Sequence, residues 1–178
     1  DKIKYYIGKK TGHSYNYDQG PITFQTTVLK ETEGLVVLQV KDCKAYRDLY
    51  KYELFPEIPE WHGKVQETIK STRKLSNLFG YERRFHQPFG DELWRQGYAF
   101  NPQSTVATIT NLAITELQES IEKGDGVLTE GGLDILQNGH DSILCQAYED
   151  KAMDVARVVS SHLCKSFNVN GVAFQMGV

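Results

Sequence analysis

A carboxylate and an imidazole stand side by side in a short segment whose pattern predicts a tight β-hairpin. Residues 133–147 contain two apolar runs separated by Asn138, Gly139, His140 and Asp141. An Asn-Gly pair favours a hairpin turn because both residues tolerate positive φ. The turn would present His140 and Asp141 at its tip, where a carboxylate on a stiff backbone is well placed to bind a hard cation such as magnesium. Asp is also common in turns for local reasons, and the segment alone favours that second interpretation.

Four side chains early in the sequence are spaced four residues apart. They are Tyr5, Lys9, His13 and Tyr17, and the surrounding pattern predicts a helix over residues 2–16. Steps of four keep side chains along one side of a helix. Such a row suits a nucleotide, because the cation meets phosphate and the rings cover base and sugar. The alternative is an ordinary amphipathic helix with packed tyrosines and solvated lysines.

Two further sets of polar side chains are suited to contact nucleic acid. Arg95 and Gln103 lie eight residues apart, with Ala99 midway between them. The alternative is that they cap the long helix that follows. Arg83 and Arg84 come after a glycine in a sheet-like segment and are natural phosphate contacts.

The apolar pattern predicts the scaffold that must position these side chains. It is mostly helical with a small antiparallel sheet, so the fold class is α+β. Five residues of one helix are expected core contacts: Leu35, Leu38, Tyr46, Leu49 and Tyr50. The predicted helices cover 2–16, 25–30, 34–54, a stretch that starts at the 55–59 break and runs to about 76, 91–98, 104–123 and 148–167. Hairpins are predicted over 75–85 and 133–147, and a closing strand over 169–178.

Length and composition indicate a soluble globular protein. The chain has 178 residues, 40% of them hydrophobic, and a formal net charge of −3. No apolar run approaches the roughly 20 residues that a membrane helix needs, and no signal-peptide pattern opens the sequence. The three cysteines are an odd number without metal-ligand spacing, which predicts reduced thiols in a cytoplasmic protein.

Charge is unevenly distributed along the sequence. Residues 64–84 carry six Lys and Arg against two Glu, whereas residues 116–134 carry six Asp and Glu against one Lys. Contacts to phosphate need local positive potential and do not need a basic protein. The separation therefore permits a groove for a polyanion without requiring one.

Four segments together resemble family A DNA polymerases, and they occur in the order found in that family. They are residues 9–17, 77–85, 99–107 and the hairpin 133–147. The Pro-Gln-Ser-Thr sequence in the third and the His-Asp-Ser sequence in the fourth are more similar to phage-type members than to bacterial repair enzymes. Each match is weak alone, and four in order are a strong signal.

The resemblance implies a role for the first helix. It would be the fingers helix that closes over the incoming nucleoside triphosphate. Lys9 would contact the triphosphate, His13 would lie near the sugar and base, and Tyr17 would line the base-pair pocket. Two residues depart from the family pattern. Tyr5 stands where the family usually has a phosphate-binding Arg, and Asp18 stands where a Gly usually follows the Tyr.

The resemblance also implies a two-ion magnesium site. Asp141 would be a metal ligand, and Asp141 and Lys9 would be the catalytic residues of this chain. His140 would contact the primer terminus or orient Asp141, the alternative being a turn His satisfied by the backbone. Ser142 replaces a Glu that often follows the Asp. The second essential Asp would belong to a palm segment upstream of the fingers helix, outside this sequence. We therefore expect the chain to be part of a longer polymerase or to pair with a second chain.

The remaining implied contacts are to duplex DNA. Arg95 and Gln103 would face the minor groove of the primer–template, and the arginine pair at 83 and 84 would hold a strand by charge. The family commonly has an Asn between the Arg and the Gln. Ala99 takes that position in an ungapped match, and Asn101 takes it if two residues are deleted.

Taken together, the resemblance predicts the C-terminal part of a phage-type DNA polymerase. Residues 1–74 would be fingers-like and 75–178 palm-like, and the complete enzyme would join a dNTP to a primer 3′-hydroxyl in the cytoplasm, that of the host if phage-encoded. Its partners would be primer–template DNA, dNTP and the segment carrying the missing palm Asp, with no membrane. The alternatives are a non-catalytic nucleic-acid-binding module derived from such a polymerase and an α+β domain with accidental matches.

Overall fold

The computed structural model describes residues 2–124, 126–128, 132–169 and 171–175. Helices dominate, and the strands form two-stranded antiparallel sheets, so the α+β prediction is confirmed. The helices are α1 (Lys2–Asn16), α2 (Pro21–Glu31), α3 (Val40–Asp48), a π-helix (Leu49–Leu54), α4 (Glu57–Thr72), α5 (Asp91–Lys123) and α6 (Ala152–Leu163), with short 3-10 turns at Gly126–Leu128 and Glu149–Lys151. The strands are β1 (Lys74–Ser76), β2 (Glu82–Arg84), β3 (Leu133–Asn138), β4 (Ile143–Ala147), β5 (Ser166–Val169) and β6 (Val172–Gln175).

The chain forms two compact units. The first unit comprises Asp1–Leu75 and Glu82–Asn101, and the second comprises Ser76–Tyr81 and Pro102–Val178. The first has two apolar clusters: Tyr15, Phe24, Val28, Val36 and Cys43, and Val65, Ile69, Leu75, Phe85, Leu93, Tyr98 and Phe100. The second is built around Leu117, Leu128, Leu133 and Val155.

The helix predicted over residues 34–54 begins later than expected. Gly34 has φ 83° and donates its N–H to the carbonyl of Leu29 at 2.8 Å, which closes the end of α2. The chain then runs without helix up to Val40, so the spacing that suggested one continuous helical face does not apply. Leu35 is 85% exposed and Leu49 is 43% exposed, and their prediction as core residues is wrong. The neighbouring residue Val36 is buried instead of Leu35.

Two helices that were predicted separately form the single helix α5. Pro102 lies inside it, where it removes one backbone hydrogen bond and crowds the preceding turn. Each half of α5 buries its own apolar side chains, Leu93 and Tyr98 before the proline and Ile109 and Leu117 after it. The burial of several large side chains outweighs a local cost of about 3 kcal/mol.

The predicted hairpin over residues 133–147 is confirmed. β3 pairs with β4 in antiparallel register, with Leu133 opposite Ala147 and Asn138 opposite Ile143. The register shifts between Ile135 and Gln137, so the pairing contains a β-bulge. The predicted closing strand over 169–178 is realised in part as β6, paired with β5, and residues 170 and 176–178 of that prediction lie outside the described residues.

Three further predictions concern the cysteines, membrane-spanning segments and the last helix. The three cysteines are free thiols, as expected, and Cys43 is fully buried. Among the helices of the described ranges, none combines the length and the apolar character that a membrane crossing requires. The helix predicted over 148–167 is shorter than expected, because a 3-10 turn precedes α6 and a strand follows it.

Candidate functional site

The hairpin tip in the second unit is a tight four-residue turn. Gly139 donates its N–H to the carbonyl of Ser142 at 2.8 Å, and Asp141 donates its N–H to the carbonyl of Gly139 at 2.8 Å. The N–H of His140 is bound by the side-chain oxygen of Asn138 at 3.0 Å. The turn therefore satisfies its own backbone donors while the side chains of His140 and Asp141 remain exposed.

The residue with positive φ in this turn is not one of the two expected from the Asn-Gly pair. His140 is the residue in the left-handed region, with φ 66°, and neither Asn138 nor Gly139 is. Gly139 is needed for a different reason, since a Cβ there would overlap the Ser142 hydroxyl and lie 3.3 Å from the Ser142 carbonyl oxygen. The glycine permits close approach of the two strands, and the conformational cost is carried by His140.

Helix α5 holds this turn through two side-chain hydrogen bonds. The hydroxyl of Thr110, which is fully buried, donates to the carbonyl of His140 at 2.8 Å. The Asn138 amide donates to the side-chain oxygen of Asn111 at 2.6 Å. Because both anchors lie on a rigid helix, the direction in which the tip presents Asp141 is fixed by packing as well as by the turn itself.

A polar cavity of about 470 Å³ lies beside the tip, within the second unit. One wall is held by Asn77, whose amide oxygen accepts the N–H groups of Phe79 and Tyr81 and whose NH₂ donates to Thr108 at 3.0 Å. Hydroxyl and amide groups of this kind suit a sugar or a polar ligand edge. The cavity is lined by Tyr81, Ser104, Ala107, Thr108, Asn111, Asn138 and His140.

The described residues do not form the implied magnesium centre by themselves. Asp141 contributes one exposed carboxylate. Two ions held for phosphoryl transfer need shared carboxylates from at least two residues. In the described ranges, no group of three or more His, Cys, Asp or Glu side chains is arranged to hold a metal ion.

In the first unit, α1 borders a smaller cavity of about 330 Å³. Its lining residues are Tyr6, Lys9, Lys10, His13 and Glu31. Lys10 pairs with the Glu31 carboxylate at 2.6 Å, and Tyr6 donates its hydroxyl to the same carboxylate at 2.8 Å. These two bonds lower the pKa of Glu31, and burial together with Glu31 raises the pKa of Tyr6 to about 12. Lys10 is therefore engaged, and Lys9 is the exposed lysine of this cavity.

The predicted row on α1 is partly exposed and partly packed. Tyr5 is 74% exposed, and Lys9 and His13 are also exposed. The ring of His13 meets the ring of Tyr17 edge-on, with 5.3 Å between centroids. Tyr17 follows the last residue of α1 and packs against the apolar cluster around Tyr98. The row thus runs from solvent at Tyr5 to a packed ring at Tyr17.

The end of α1 is held by a buried cation that the sequence analysis did not identify. Asp18 adopts φ 56°, the left-handed conformation that a glycine would take without strain. Its carboxylate pairs with the ammonium of Lys51, whose side chain is only 7% exposed and comes from the π-helix. Asn16 is bound from two sides, by the hydroxyl of Tyr50 at 2.9 Å and by His62 Nε2 at 2.8 Å from its carbonyl oxygen. The left-handed conformation of Asp18 is therefore accompanied by an ion pair with a buried ammonium.

The predicted DNA contacts are divided between the two units. Arg83, Arg84 and Arg95 belong to the first unit and are exposed, and Arg83 donates to Gln96 at 2.9 Å. Gln103 belongs to the second unit, where it is exposed but does not line the cavity beside the hairpin tip. The adjacent residue, Ser104, lines that cavity instead.

Several residues of the hairpin-tip site were missed by the sequence analysis. The local pattern predicts Thr110 and Asn111 only as part of a helix, and Asn138 only as a turn residue. One usable signal was present: Ser104, Thr108 and Asn111 are spaced four and three apart, so they form a polar stripe on a helix. The contact of Thr110 with a residue thirty positions later has no local signal.

Comparison with known proteins gives no assignment. No protein-family model matches the chain, and no curated protein matches it significantly.

Proposed function

We propose that this chain is the C-terminal part of a template-directed DNA polymerase. The complete enzyme joins a dNTP to a primer 3′-hydroxyl, and Asp141 supplies one carboxylate to a magnesium centre completed by a carboxylate from the remaining polymerase segment or a second chain. The chain acts in the cytoplasm, that of the host cell if it is phage-encoded.

One observation carries this proposal: an exposed carboxylate on a turn locked onto a helix beside a polar cavity. The carbonyl of His140 is bound by a buried hydroxyl at 2.8 Å, and Asn138 is bound by an amide at 2.6 Å. A metal ligand in a shared site has to be held within a few tenths of an ångström, and a doubly anchored turn meets that need. The adjacent cavity has the hydroxyl and amide groups that would bind the sugar edge of a primer end.

The first helix supplies the nucleotide contacts in this proposal. Lys9 is the exposed lysine of the α1 cavity, since Lys10 is paired with Glu31. His13 lines the same cavity, and its ring meets the ring of Tyr17 edge-on. A cation that shares a cavity with aromatic side chains suits a triphosphate attached to a sugar and base. Arg83, Arg84, Arg95 and Gln103 would contact the duplex, each within its own unit.

The test is primer extension by the native assembly that contains this chain, recovered from its source cells through a tag. Asp141→Ala should lower the rate of dNTP incorporation by about a thousand-fold or more, because a metal ligand stabilises the transferring phosphoryl group. Its affinity for primer–template, measured by fluorescence anisotropy, should change by less than about three-fold. Asp150→Ala, an exposed aspartate in the 3-10 turn before α6, is the matched control and should leave both quantities unchanged.

Two results would overturn the proposal. One is a wild-type assembly that extends no primed template with either Mg²⁺ or Mn²⁺. The other is an Asp141→Ala assembly that keeps its rate. A further variant, Lys9→Ala, should raise the KM for dNTP by about ten-fold, the loss expected for one charged contact to phosphate.

A nucleic-acid-binding module without catalysis is the second candidate. It is favoured by Ser142, which removes a carboxylate next to Asp141, and by the lack of a ready metal cluster among the described residues. The same experiment separates the two functions. A module would bind primer–template with an affinity that Asp141→Ala leaves unchanged, and it would have no extension activity to lose.

A further inference from the structure

Four side chains of the first unit form a ladder on the surface in which two stacked aromatic rings lie between two cations. We define the aromatic ladder as Arg73, Phe89, Trp94 and Lys70. The guanidinium carbon of Arg73 lies 3.7 Å from the centroid of the Phe89 ring. Phe89 stacks on Trp94 with 5.5 Å between centroids and 17° between planes. The ammonium of Lys70 lies 5.5 Å from the centroid of the Trp94 ring.

The backbone holds the Arg73 end of the ladder in place. Arg73 ends α4 in the left-handed region, with φ 57°, and its N–H binds the carbonyl of Ile69. Its carbonyl accepts the N–H of Phe85 at 2.9 Å, and its guanidinium donates to the carbonyl of Gln87 at 2.9 Å. The guanidinium plane is thus fixed over Phe89 and is not a mobile surface side chain.

The ladder is anchored at its base and open at its surface. Trp94 is half-buried and packs against the core cluster of the first unit. Phe89 is 50% exposed, and Lys70 is exposed. Lys70 therefore reaches Trp94 on a flexible four-carbon stem, and its ammonium can move away from the ring at little cost.

Charge around the ladder favours a polyanion. Residues 64–75 and 82–95 carry seven Lys and Arg against four Asp and Glu, in a chain whose net charge is −3. Two of the acids, Asp91 and Glu92, are in the first turn of α5, where their negative charges interact favourably with the positive end of the helix dipole. A third, Glu82, pairs with Lys74 at 3.0 Å. Aromatic rings combined with local excess of positive charge are the combination that single-stranded nucleic acids require.

We propose that the aromatic ladder binds single-stranded nucleic acid without sequence preference. A base stacks on the face of Trp94 that the Lys70 ammonium now covers, and Lys70 moves to the flanking phosphate. The guanidinium plane of Arg73 offers a second stacking surface for a base. A duplex cannot use this site, because its base faces are covered by their neighbours in the stack.

This site is separate from the function proposed above. None of the four ladder residues is among the contacts assigned to nucleotide, primer or duplex. A polymerase and a non-catalytic module are both compatible with the ladder, so failure of either function leaves this proposal standing, and the reverse also holds.

Tryptophan fluorescence tests the proposal directly, because the chain has two tryptophans. Trp61→Phe in the full 178-residue chain leaves Trp94 as the reporter. Titration with a twelve-nucleotide oligo-dT should quench Trp94 emission, since a stacked base removes the excited state. A blunt duplex of the same length should quench it at least about ten-fold less effectively at equal concentration. Raising the salt from about 50 to about 200 mM should weaken oligo-dT binding.

Ladder variants in the same background complete the test, with anisotropy of labelled oligo-dT as the readout. Phe89→Leu should weaken binding by about five-fold or more, in keeping with the loss of stacking support. Lys70→Gln should weaken it and make the salt dependence shallower by about one unit of slope. Arg73→Lys keeps the charge but removes the planar surface, and it should also weaken binding. Arg157→Gln, an exposed arginine of the second unit, is the matched control.

Far-UV circular dichroism shows whether each variant is folded. The half-exposed Phe89 and the exposed Lys70 are positions where substitution leaves the core intact. The proposal is overturned if oligo-dT at about 100 μM and low salt leaves Trp94 emission unchanged. It is also overturned if duplex and single strand quench equally, or if Arg157→Gln weakens binding as much as the ladder variants do.

Discussion

Among the turns that put a non-glycine residue in the left-handed region, those at Asp18 and His140 stabilise it in different ways. Asp18, at the end of α1, has φ 56° and pairs with the buried ammonium of Lys51. His140, at the hairpin tip, has φ 66° and is held by neutral hydrogen bonds from Thr110 to its carbonyl and to Asn138 from its N–H. The first turn depends on charge, and the second depends on neutral groups whose partners are fixed by a helix.

The difference separates two ways of positioning a site. At Asp18 the side chain itself makes the stabilising contact, so the residue and its conformation cannot be changed independently. At His140 the stabilising contacts are made by the backbone, and the imidazole remains exposed. The hairpin tip therefore leaves the His140 imidazole exposed, whereas the end of α1 uses the Asp18 side chain for structure. Four changes test this distinction, beginning with the largest expected effect.

Asp18→Gly should destabilise the protein by about 2 kcal/mol. Glycine relieves the left-handed strain, but the substitution leaves the 7% exposed Lys51 ammonium without a counter-charge, and that cost is larger. Urea unfolding followed by circular dichroism measures the change. Adding Lys51→Met removes the stranded charge and should restore most of the loss. A neutral or stabilising Asp18→Gly would show that the ion pair contributes nothing.

Thr110→Val should destabilise the protein by about 1 kcal/mol, because the isosteric change removes the hydrogen bond to His140 and leaves that carbonyl without its donor. Thr115→Val is the control on the same helix, since the Thr115 hydroxyl is exposed and binds only a carbonyl of its own helix. Equal effects of the two substitutions in urea unfolding would argue against an anchored tip.

His140→Gly should stabilise the protein by about 0.5 kcal/mol, the opposite sign to the substitution at Asp18. The backbone contacts remain, and the left-handed conformation no longer carries a Cβ. Affinity for primer–template should fall, because the imidazole that borders the polar cavity is lost. Thermal unfolding and anisotropy together test this. A destabilised variant would mean that the imidazole itself supports the turn.

The smallest effect expected is a dependence of stability on pH. Lys165 first, and then His162, lower the pKa of Glu116 from its ordinary value of 4.5, so the folded state favours the ionised carboxyl. The stabilisation that the ionised Glu116 carboxyl provides is present above pH 4.5. It is lost as the pH falls below 4.5 and passes through the pKa of Glu116 in the folded state. Glu116→Gln should therefore flatten the loss of stability between about pH 5 and pH 3. An unchanged slope in urea unfolding at several pH values would contradict this.

The parts of this structure that sequence could predict are those with local signals. Two apolar runs around Asn-Gly specify a hairpin, and the position of Asp141 at its tip follows from the turn alone. The first helix and its polar row follow from spacing. The helix predicted over 34–54 failed because Gly34 ends one helix and an extended segment intervenes, a change that periodicity does not record.

The parts that sequence could not predict depend on contacts between distant residues. The buried ammonium of Lys51 pairs with Asp18, which lies thirty-three positions earlier in the chain. Nothing in the local sequence distinguishes Thr110 from the other residues of its helix, because its contact is with the hairpin tip thirty positions later. Pro102 predicts a helix end by its local chemistry, and burial on both sides of it decides otherwise. The candidate site combines one local feature with several such contacts, so only its apex was predictable.

The bulge in β3 has a consequence for how this site tolerates change. Alternate residues of a strand face opposite sides, so a bulge of one residue reverses the phase of every position that follows. Ile135 packs against the cluster that includes Leu117 of α5, and Asn138 binds Asn111 of the same helix. The two residues share a side of the hairpin although their numbers differ by three, because Leu136 is the extra residue between them. Deleting Leu136 would restore strict alternation and turn the Asn138 amide away from Asn111. The number of residues between the core and the hairpin tip therefore matters more here than which residue occupies position 136.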